Sequence, residues 1–328
     1  MNSSIAKQNL GPALALAEPC RLCPRQCGAR RIQGQTGLCG AGPEAALFLE
    51  YVHWGEDADI VPAQTLYLTG CNLNCCFCQT AEEQRVLPSV QLNADLFRRV
   101  LERGWQAGAK YVNILGGEPT VNLPALLKLF AEVGDFPGLV WNTNLYGSAE
   151  AFKLLDGIVD VYMADLKFGA TKCGRDLAGA GEAGEVARAR AGEIFRRSPQ
   201  ALIVRHLVMP GHYECCTRPV LEWIARYLPG VRVSLKTVYL PPRSLSAERP
   251  ESRFLNPDEV ARARDLASRL GLNLTRDADL SPSSAPRAGQ GPVDMEVVVS
   301  PDGRVYMRHI VREAAEVLRA VALPAETE

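Results

Sequence analysis

Short apolar runs alternate with amphipathic helical segments about six times between residues 65 and 270, and this pattern constrains the fold most. Apolar strands separated by such helices indicate a parallel sheet covered by helices. We therefore predict an α/β fold, a partial (β/α)6 TIM-like barrel with its chemistry at the carboxyl ends of the strands. The predicted strands are residues 65–69, 111–115, 139–144, 159–166, 202–209 and 231–235. The predicted helices are residues 93–103, 123–133, 148–155, 186–196, 220–227 and 257–270.

The regions on either side of the barrel, predicted at 61–275, lack this alternation. Residues 1–60 are a cysteine-rich extension with little periodicity, which we expect to be irregular and organised around a metal. Residues 276–292 are rich in Ser, Pro, Gly and Ala and predict a linker. Residues 293–328 predict a small module, in which a β-hairpin of strands 295–299 and 304–307 is followed by a helix near 311–321.

The chain has eleven cysteines, and they fall into tight groups. Cytosolic proteins rarely use disulfides, and spacers of two or three residues are typical of thiolates that share one metal centre. The net charge of −1 provides no field that would attract nucleic acid or an anionic membrane. No apolar run approaches the length of a bilayer span. We predict a cytoplasmic metalloprotein with neither a nucleic-acid nor a membrane partner.

The most informative cysteines follow the first predicted strand, where Cys71, Cys75 and Cys78 have the spacing C-x3-C-x2-C. Three thiolates leave one iron of a 4Fe-4S cubane open, and an open coordination position usually means chemistry at the metal. That iron could chelate the amino and carboxylate groups of S-adenosylmethionine (SAM), whose reductive cleavage yields a 5′-deoxyadenosyl radical. The alternative is a zinc site, which the adjacent Cys75 and Cys76 disfavour, and we expect Cys76 to be a packed thiol.

This spacing is the signature of the radical SAM superfamily, which the chain resembles from about residue 66 to residue 274. It is similar in particular to the proteins grouped with pyruvate formate-lyase activating enzyme. The matching segments are Cys-Arg-Leu-Cys-Pro-Arg-Gln-Cys at 20–27, Gly-Leu-Cys-Gly-Ala-Gly at 37–42, and the stretches 154–160 and 204–211. The resemblance implies a SAM-cleaving cluster that an outside electron donor reduces, such as a flavodoxin or a ferredoxin.

A Gly-Gly-Glu-Pro-Thr stretch begins at Gly116, directly after a predicted strand. Glycines let the backbone approach a ligand without an intervening Cβ atom. The resemblance implies that Gly116, Gly117 and Glu118 bind the amino group of SAM. The alternative is an ordinary turn between a strand and a helix.

Polar residues also end the next three predicted strands. The resemblance implies that Asp165 helps to hold a monovalent cation beside SAM, although Asn142 stands where the family has an aspartate. It also implies that Lys167 contacts SAM, with a surface salt bridge as the alternative. Arg205 is expected to hold the SAM carboxylate, because a guanidinium can donate two parallel hydrogen bonds. We expect the neighbouring His206 to be a packed or solvent-facing residue and not a proton donor.

Two further cysteine groups carry separate predictions. The N-terminal cysteines provide four thiolates, enough for a second 4Fe-4S cluster or a structural zinc, and their spacing does not decide between these metals. They are Cys20, Cys23, Cys27 and Cys39. Cys215 and Cys216 lie in a predicted loop at the active face, where a thiol could give a hydrogen atom to a substrate radical. The alternative in each case is cysteines that only pack.

Three functions follow from these predictions. The first is a radical SAM enzyme of oxidoreductase or isomerase type that abstracts a hydrogen atom from a small molecule, with epimerisation if Cys215 or Cys216 returns a hydrogen. The second is an activase that installs a glycyl radical on a partner protein. The third is a non-catalytic iron–sulfur electron-transfer protein, which the Asp165 and Arg205 shell disfavours because electron transfer needs no site for the SAM carboxylate.

Overall fold

The computed structural model of the chain describes residues 1–242 and 245–276, together with the backbone of residues 295–299 and 305–309. Contacts divide the chain into two compact units, Met1–Asp279 and Leu280–Glu328. The predicted cysteine-rich extension therefore belongs to the same unit as the barrel.

A nine-stranded sheet is the centre of the first unit, and it is not closed into a full barrel. Its spatial order is β3-β1-β2-β4-β5-β6-β7-β8-β9. From β2 to β9 each neighbouring pair is parallel, whereas β1 is antiparallel to both β2 and β3. The parallel α/β fold predicted from the sequence is confirmed. The strands are β1 Ala46–His53, β2 Ala63–Leu68, β3 Val90–Gln91, β4 Tyr111–Gly116, β5 Leu139–Thr143, β6 Val161–Asp165, β7 Leu202–Leu207, β8 Arg232–Lys236 and β9 Asn273–Leu274.

The six predicted helices are present, and the structure adds three that were not predicted, α1, α2 and α6. The helices are α1 Ser3–Ala17, α2 Ala81–Val86, α3 Ala94–Gln106, α4 Leu123–Val133, α5 Ala149–Lys153, α6 Thr171–Ala178, α7 Ala183–Arg197, α8 Arg218–Tyr227 and α9 Pro257–Arg269. The sequence did not predict α6, because its buried face consists of Cys173, Gly174, Leu177 and Ala178 and has a single large aliphatic side chain. Within the described part of the chain, no helix combines the length and the apolar character needed to span a bilayer.

The expectation that residues 1–60 are irregular is wrong for two segments. Helix α1 is capped by the Asn2 side chain, buries Ala6, Ala13 and Ala17, and packs on α4. Strand β1 then extends the sheet at its antiparallel edge. Alanines form the buried face of α1, so its hydrophobic periodicity is weak, and packing against α4 supplies the stability that the pattern does not reveal.

The segment between β1 and β2 packs against one face of the sheet, over β5, β6 and β7. Ile60 is fully buried and belongs to an apolar cluster with Val140, Met163 and Ile203. Asp57, also buried, accepts a hydrogen bond from Ser234 Oγ at 2.9 Å, which ties this segment to β8. The segment between β1 and β2 therefore covers part of one face of the sheet.

The second unit contains the predicted pair of C-terminal strands. Strand β10, Met295–Val299, pairs antiparallel with β11, Val305–His309. The predicted turn between them, the predicted linker from residue 277 onward and the predicted final helix near residues 311–321 lie outside the described residues.

Candidate metal and cofactor site

Residues 71–78, the cysteine loop, join β2 to α2 and are fixed from two sides. Cys71 N donates a hydrogen bond to Cys39 O at 2.9 Å, which joins the loop to the N-terminal extension. On the other side, Cys76 N donates to Leu177 O, in the last turn of α6, at 2.8 Å. The loop that carries Cys71, Cys75 and Cys78 is thus held between two parts of the chain distant in sequence.

The thiols of this loop are half-buried, and their surroundings suit a metal centre. Burial, reinforced by neighbouring thiols, raises the pKa of Cys71 well above its ordinary value. Burial likewise raises the pKa of Cys75 to about 12, although the Lys167 charge opposes this shift. A metal cluster would supply the positive charge that keeps such thiols ionised. Three soft sulfur donors in this loop fit an iron–sulfur cluster.

At Gly116 and Gly117 a Cβ atom would collide with backbone atoms of this chain. From the sequence, these glycines are instead expected to make room for a ligand. A Cβ atom on Gly116 would lie 2.1 Å from Leu68 N, and the residue has φ of +117°. A Cβ atom on Gly117 would lie 1.9 Å from Gly70 O. The two glycines therefore let the end of β4 press against the end of β2 and the start of the cysteine loop.

Glu118 is buried and organises the residues after β5. Its Oε1 accepts hydrogen bonds from Thr120 N at 3.0 Å and Thr143 Oγ1 at 2.7 Å. Its Oε2 accepts from Asn144 N at 2.8 Å. Burial raises the pKa of this carboxyl group, and the hydrogen bonds oppose the shift. Both carboxylate oxygens are thus engaged with the protein at the ends of β4 and β5.

Four of the predicted cofactor residues meet at the ends of β5, β6 and β7. Arg205 Nε donates to Asp165 Oδ1 at 2.6 Å, and Arg205 Nη2 donates to Asp165 Oδ2 at 3.1 Å and to Asn142 Oδ1 at 2.7 Å. Lys167 forms an ion pair with the same Asp165 carboxylate. Burial alone would raise the pKa of Asp165, but the charges of Arg205 and Lys167 outweigh it and lower that pKa to about 2.

One polar atom of this cluster has no partner within the described residues. Asn142 Nδ2 is buried without a hydrogen bond, although buried amide groups are nearly always paired. The atom lies at the carboxyl end of β5. Asp165 and Lys167, on the next strand, are close enough to influence the Cys75 thiol electrostatically. A polar ligand beside the cysteine loop would satisfy this donor.

His206 is packed, the first of the two arrangements expected for it, and it does not face solvent. Its side chain is fully buried, with Nδ1 at 2.6 Å from Leu166 O and Nε2 at 3.1 Å from Thr217 Oγ1. Burial lowers the pKa of His206 to about 4, so the imidazole is neutral near neutral pH.

The four N-terminal cysteines line one small cavity, and their binding of a metal stays a prediction. Asn72, the second residue of the cysteine loop, lines the same cavity. The Sγ atoms of Cys27 and Cys39 each lie 3.3 Å from the position that a Cβ atom on Gly37 would occupy. Because Asn72 belongs to the cysteine loop and lines this cavity, the cavity directly adjoins the loop.

Cys215 and Cys216 lie in a single π-helical turn, Tyr213–Thr217, between β7 and α8. There they meet Cys173 and His212, which the sequence analysis did not select. Cys216 is fully buried and Cys215 is half-buried. Cys173 precedes His212 by 39 residues, on a helix that the hydrophobic pattern did not reveal, so no short motif joins the four.

Known proteins resemble this chain in sequence and in structure. Residues 65–224 match the family described as the radical SAM superfamily. The uncharacterized protein MJ0674 of Methanocaldococcus jannaschii is 30% identical over 265 residues, which cover 79% of this chain and 77% of that protein. A crystal structure of a radical SAM methyltransferase from Sphaerobacter thermophilus aligns with a TM-score of 0.47 at 16% identity. That alignment covers 65% of this chain and 65% of the methyltransferase chain.

The family match begins inside β2 and ends inside α8, so it contains the cysteine loop and the cluster of Asn142, Asp165, Lys167 and Arg205. The narrower resemblance to the activating-enzyme group stays a prediction. The chain belongs to the same family as the Methanocaldococcus jannaschii protein, and its barrel is a domain of the radical SAM superfamily.

Proposed function

We propose that this chain is a radical SAM enzyme that abstracts a hydrogen atom from a small organic substrate. The 4Fe-4S cluster, once reduced by a protein such as a flavodoxin or ferredoxin, supplies the electron that cleaves SAM to a 5′-deoxyadenosyl radical. Cys71, Cys75 and Cys78 would hold the cluster. The observation that carries the proposal is the largely buried polar cluster at the strand ends, whose charges act on Cys75 and whose Asn142 Nδ2 has no partner among the described residues.

The residues at the strand ends would bind and orient SAM. Lys167, Arg205 and the free Asn142 Nδ2 are donors suited to a carboxylate. Asp165 holds Arg205 with two hydrogen bonds, so the guanidinium is already oriented before a ligand arrives. Glu118 and the two glycines before it would shape the amino-group side by fixing the loops there. A monovalent cation near Asp165 and Asn142 remains part of this proposal.

The test is the formation of 5′-deoxyadenosine. The protein is reconstituted anaerobically with iron and sulfide, reduced with dithionite and incubated with SAM, and the products are separated by chromatography. We expect 5′-deoxyadenosine from the wild-type protein. Protein with a fully loaded cluster that forms none would overturn the proposal.

Cys76 provides a matched control for the cluster ligands. Single Cys→Ala variants at Cys71, Cys75 and Cys78 should lose the visible absorbance of the cluster and form no 5′-deoxyadenosine. Cys76→Ala, within the same loop, should keep both, because a C-x3-C-x2-C spacing does not use it. Loss of a hydrogen label from a candidate substrate into 5′-deoxyadenosine would then identify a small-molecule reaction, whereas a radical on an added partner protein would favour the activase.

A further inference from the structure

Three thiols and one imidazole meet in a group separate from the cysteine loop and from the N-terminal cysteines. We call Cys173, His212, Cys215 and Cys216 the Cys3His group. Their ligand atoms all lie within 4.8 Å of one another. Cys173 is buried in the first turn of α6, and the other three residues follow β7.

The distances within the Cys3His group match one tetrahedral ion. His212 Nδ1 lies 3.3 Å from Cys215 Sγ and 3.8 Å from Cys173 Sγ. Zinc bonds of about 2.3 Å to sulfur and about 2.0 Å to nitrogen, in tetrahedral geometry, separate the two ligand atoms by about 3.6 Å. The observed distances lie on either side of that value, whereas a cubane would hold its ligands farther apart.

The second ring nitrogen of His212 is held as metal-binding histidines usually are. His212 Nε2 lies 2.6 Å from Glu251 Oε1, and Glu251 is 2% exposed. Arg249 Nε donates to the other oxygen of Glu251 at 3.0 Å. A carboxylate on the far side of the ring fixes its orientation and directs Nδ1 toward the sulfur atoms. Glu251 is not a member of the Cys3His group, so its contact with His212 is separate evidence that the imidazole binds a metal ion.

The backbone is shaped to bring the group together. Cys216 N and Thr217 N both donate to His212 O, at 2.9 and 3.1 Å, within the π-helical turn. A Cβ atom on Gly169 would lie 2.4 Å from Cys215 O, so only glycine lets the chain leading into α6 reach this turn. Such π-helical turns are rare and occur frequently at functional sites.

We propose that the Cys3His group binds a single zinc ion as a closed structural site. Four protein ligands leave no open position, which is typical of structural zinc. The ion would join α6 to the turn after β7. The other end of α6 holds the cysteine loop through the Leu177 carbonyl, and Arg249 Nη2 lies 3.5 Å from Cys76 Sγ. The zinc ion would therefore brace the elements that hold the cysteine loop.

This assignment competes with the prediction that Cys215 or Cys216 donates a hydrogen atom. A thiolate bound to zinc carries no S–H hydrogen to give. Zinc binding here is also independent of SAM cleavage, so the metal content tests it even if the proposed enzyme function fails.

The test counts metals in the full-length protein, purified, equilibrated with zinc and freed of loosely bound ions. We expect the Cys173→Ser and Cys216→Ser variants each to contain about one zinc per chain less than the wild type. Cys76→Ser, outside the group, should lose none. Cys20→Ser/Cys23→Ser should also keep this zinc, which separates it from metal at the N-terminal cysteines. An unchanged zinc content in Cys173→Ser, or a wild type without zinc, would overturn the proposal.

A measurement on the wild-type protein keeps the test valid if those variants do not fold. Cys215 is half-buried, so alkylation can report its state. With zinc bound, its alkylation, followed by peptide mass spectrometry, should be at least about tenfold slower than after chelation, because the thiolate is coordinated. Equal rates with and without the chelator would count against zinc at this site.

Discussion

Asp165 is the residue on which the charge balance of the candidate cofactor site depends. It accepts two hydrogen bonds from Arg205 and pairs with Lys167, and its side chain is only 12% exposed. Without the Asp165 carboxylate, Lys167 would lose this ion pair, and the ion pair left to Arg205 among the described residues would be the longer one with Glu56 Oε2, at 3.4 Å. Breaking a mostly buried ion pair in this way is far more costly than losing a surface pair. The same arrangement fixes the direction in which Arg205 points.

We expect Asp165→Asn to lower the free energy of unfolding by about 3 kcal/mol near neutral pH. The Asp165 pKa of about 2 lies below its ordinary value of 3.8, so this stabilisation is complete above about pH 4 and is lost as the pH falls through about 2. The difference between variant and wild type should therefore shrink at about pH 3. Urea unfolding followed by circular dichroism, near neutral pH and at about pH 3, measures the difference in the free energy of unfolding and its decrease with pH.

Asp176→Asn is the matched control for this prediction. Asp176 also pairs with a lysine, Lys172, but on the exposed surface of α6. Exposed pairs contribute little, so this change should leave the unfolding curve almost unchanged. A similar loss of stability in both variants would mean that the buried network is not responsible.

At the scale of elements, the site depends on close contact between consecutive β/α units. The end of β4 meets the start of the cysteine loop with no room for a side chain at Gly117. Helix α6 supports the other side of the loop. The cysteine loop is thus positioned by its neighbours, because it has no regular structure of its own.

We expect Gly117→Ala to destabilise the protein by more than about 3 kcal/mol and to prevent most of the cluster from assembling. The new Cβ atom would meet a backbone oxygen at 1.9 Å, and backbone cannot move aside as a flexible side chain can. Iron content after reconstitution and thermal unfolding measure the effect. Gly192→Ala is the control. It lies inside α7, where a new Cβ atom would only touch Arg196 Nη1 at 3.8 Å, so the change should gain up to about 1 kcal/mol. A Gly117→Ala protein with normal iron content would contradict this account.

For the whole molecule, the N-terminal extension and the barrel form one compact unit with neighbouring cysteine sites. Cys71 N bonds to Cys39 O, and Asn72 lines the N-terminal cavity. Cys20, Cys23, Cys27 and Cys39 line that cavity, and four thiolates suit either a second cluster or a structural zinc. We take the second cluster as the prediction, because a cluster beside the cysteine loop could pass electrons to it.

We therefore predict that Cys20→Ser/Cys23→Ser contains about four irons per chain less than the wild type after reconstitution. 5′-Deoxyadenosine formation with dithionite should persist, since a small reductant can reach the remaining cluster without a relay. Reduction by a flavodoxin should slow if the second cluster carries electrons. Unchanged iron together with a loss of zinc would instead assign a structural zinc to these cysteines.

Much of the architecture could be predicted because it rests on local patterns. Continuous apolar strands and amphipathic helices predicted the parallel sheet. Helix α3 also begins where its prediction places it, with Asn93 accepting a hydrogen bond from Leu96 N as the cap. Helices α1 and α6 were missed, because alanine, glycine and cysteine form their buried faces. For such helices, packing against neighbours decides the structure, and hydrophobic periodicity carries little signal.

The sequence by itself predicted a metal site in the cysteine loop, because the spacing of Cys71, Cys75 and Cys78 is local along the chain. It also predicted the strand-end positions of Asp165 and Arg205. Only the tertiary structure decided what these residues contact, and it placed Cys173 beside His212. Contacts between residues 39 positions apart depend on how α6 and the turn after β7 pack, and no short stretch of sequence encodes that packing.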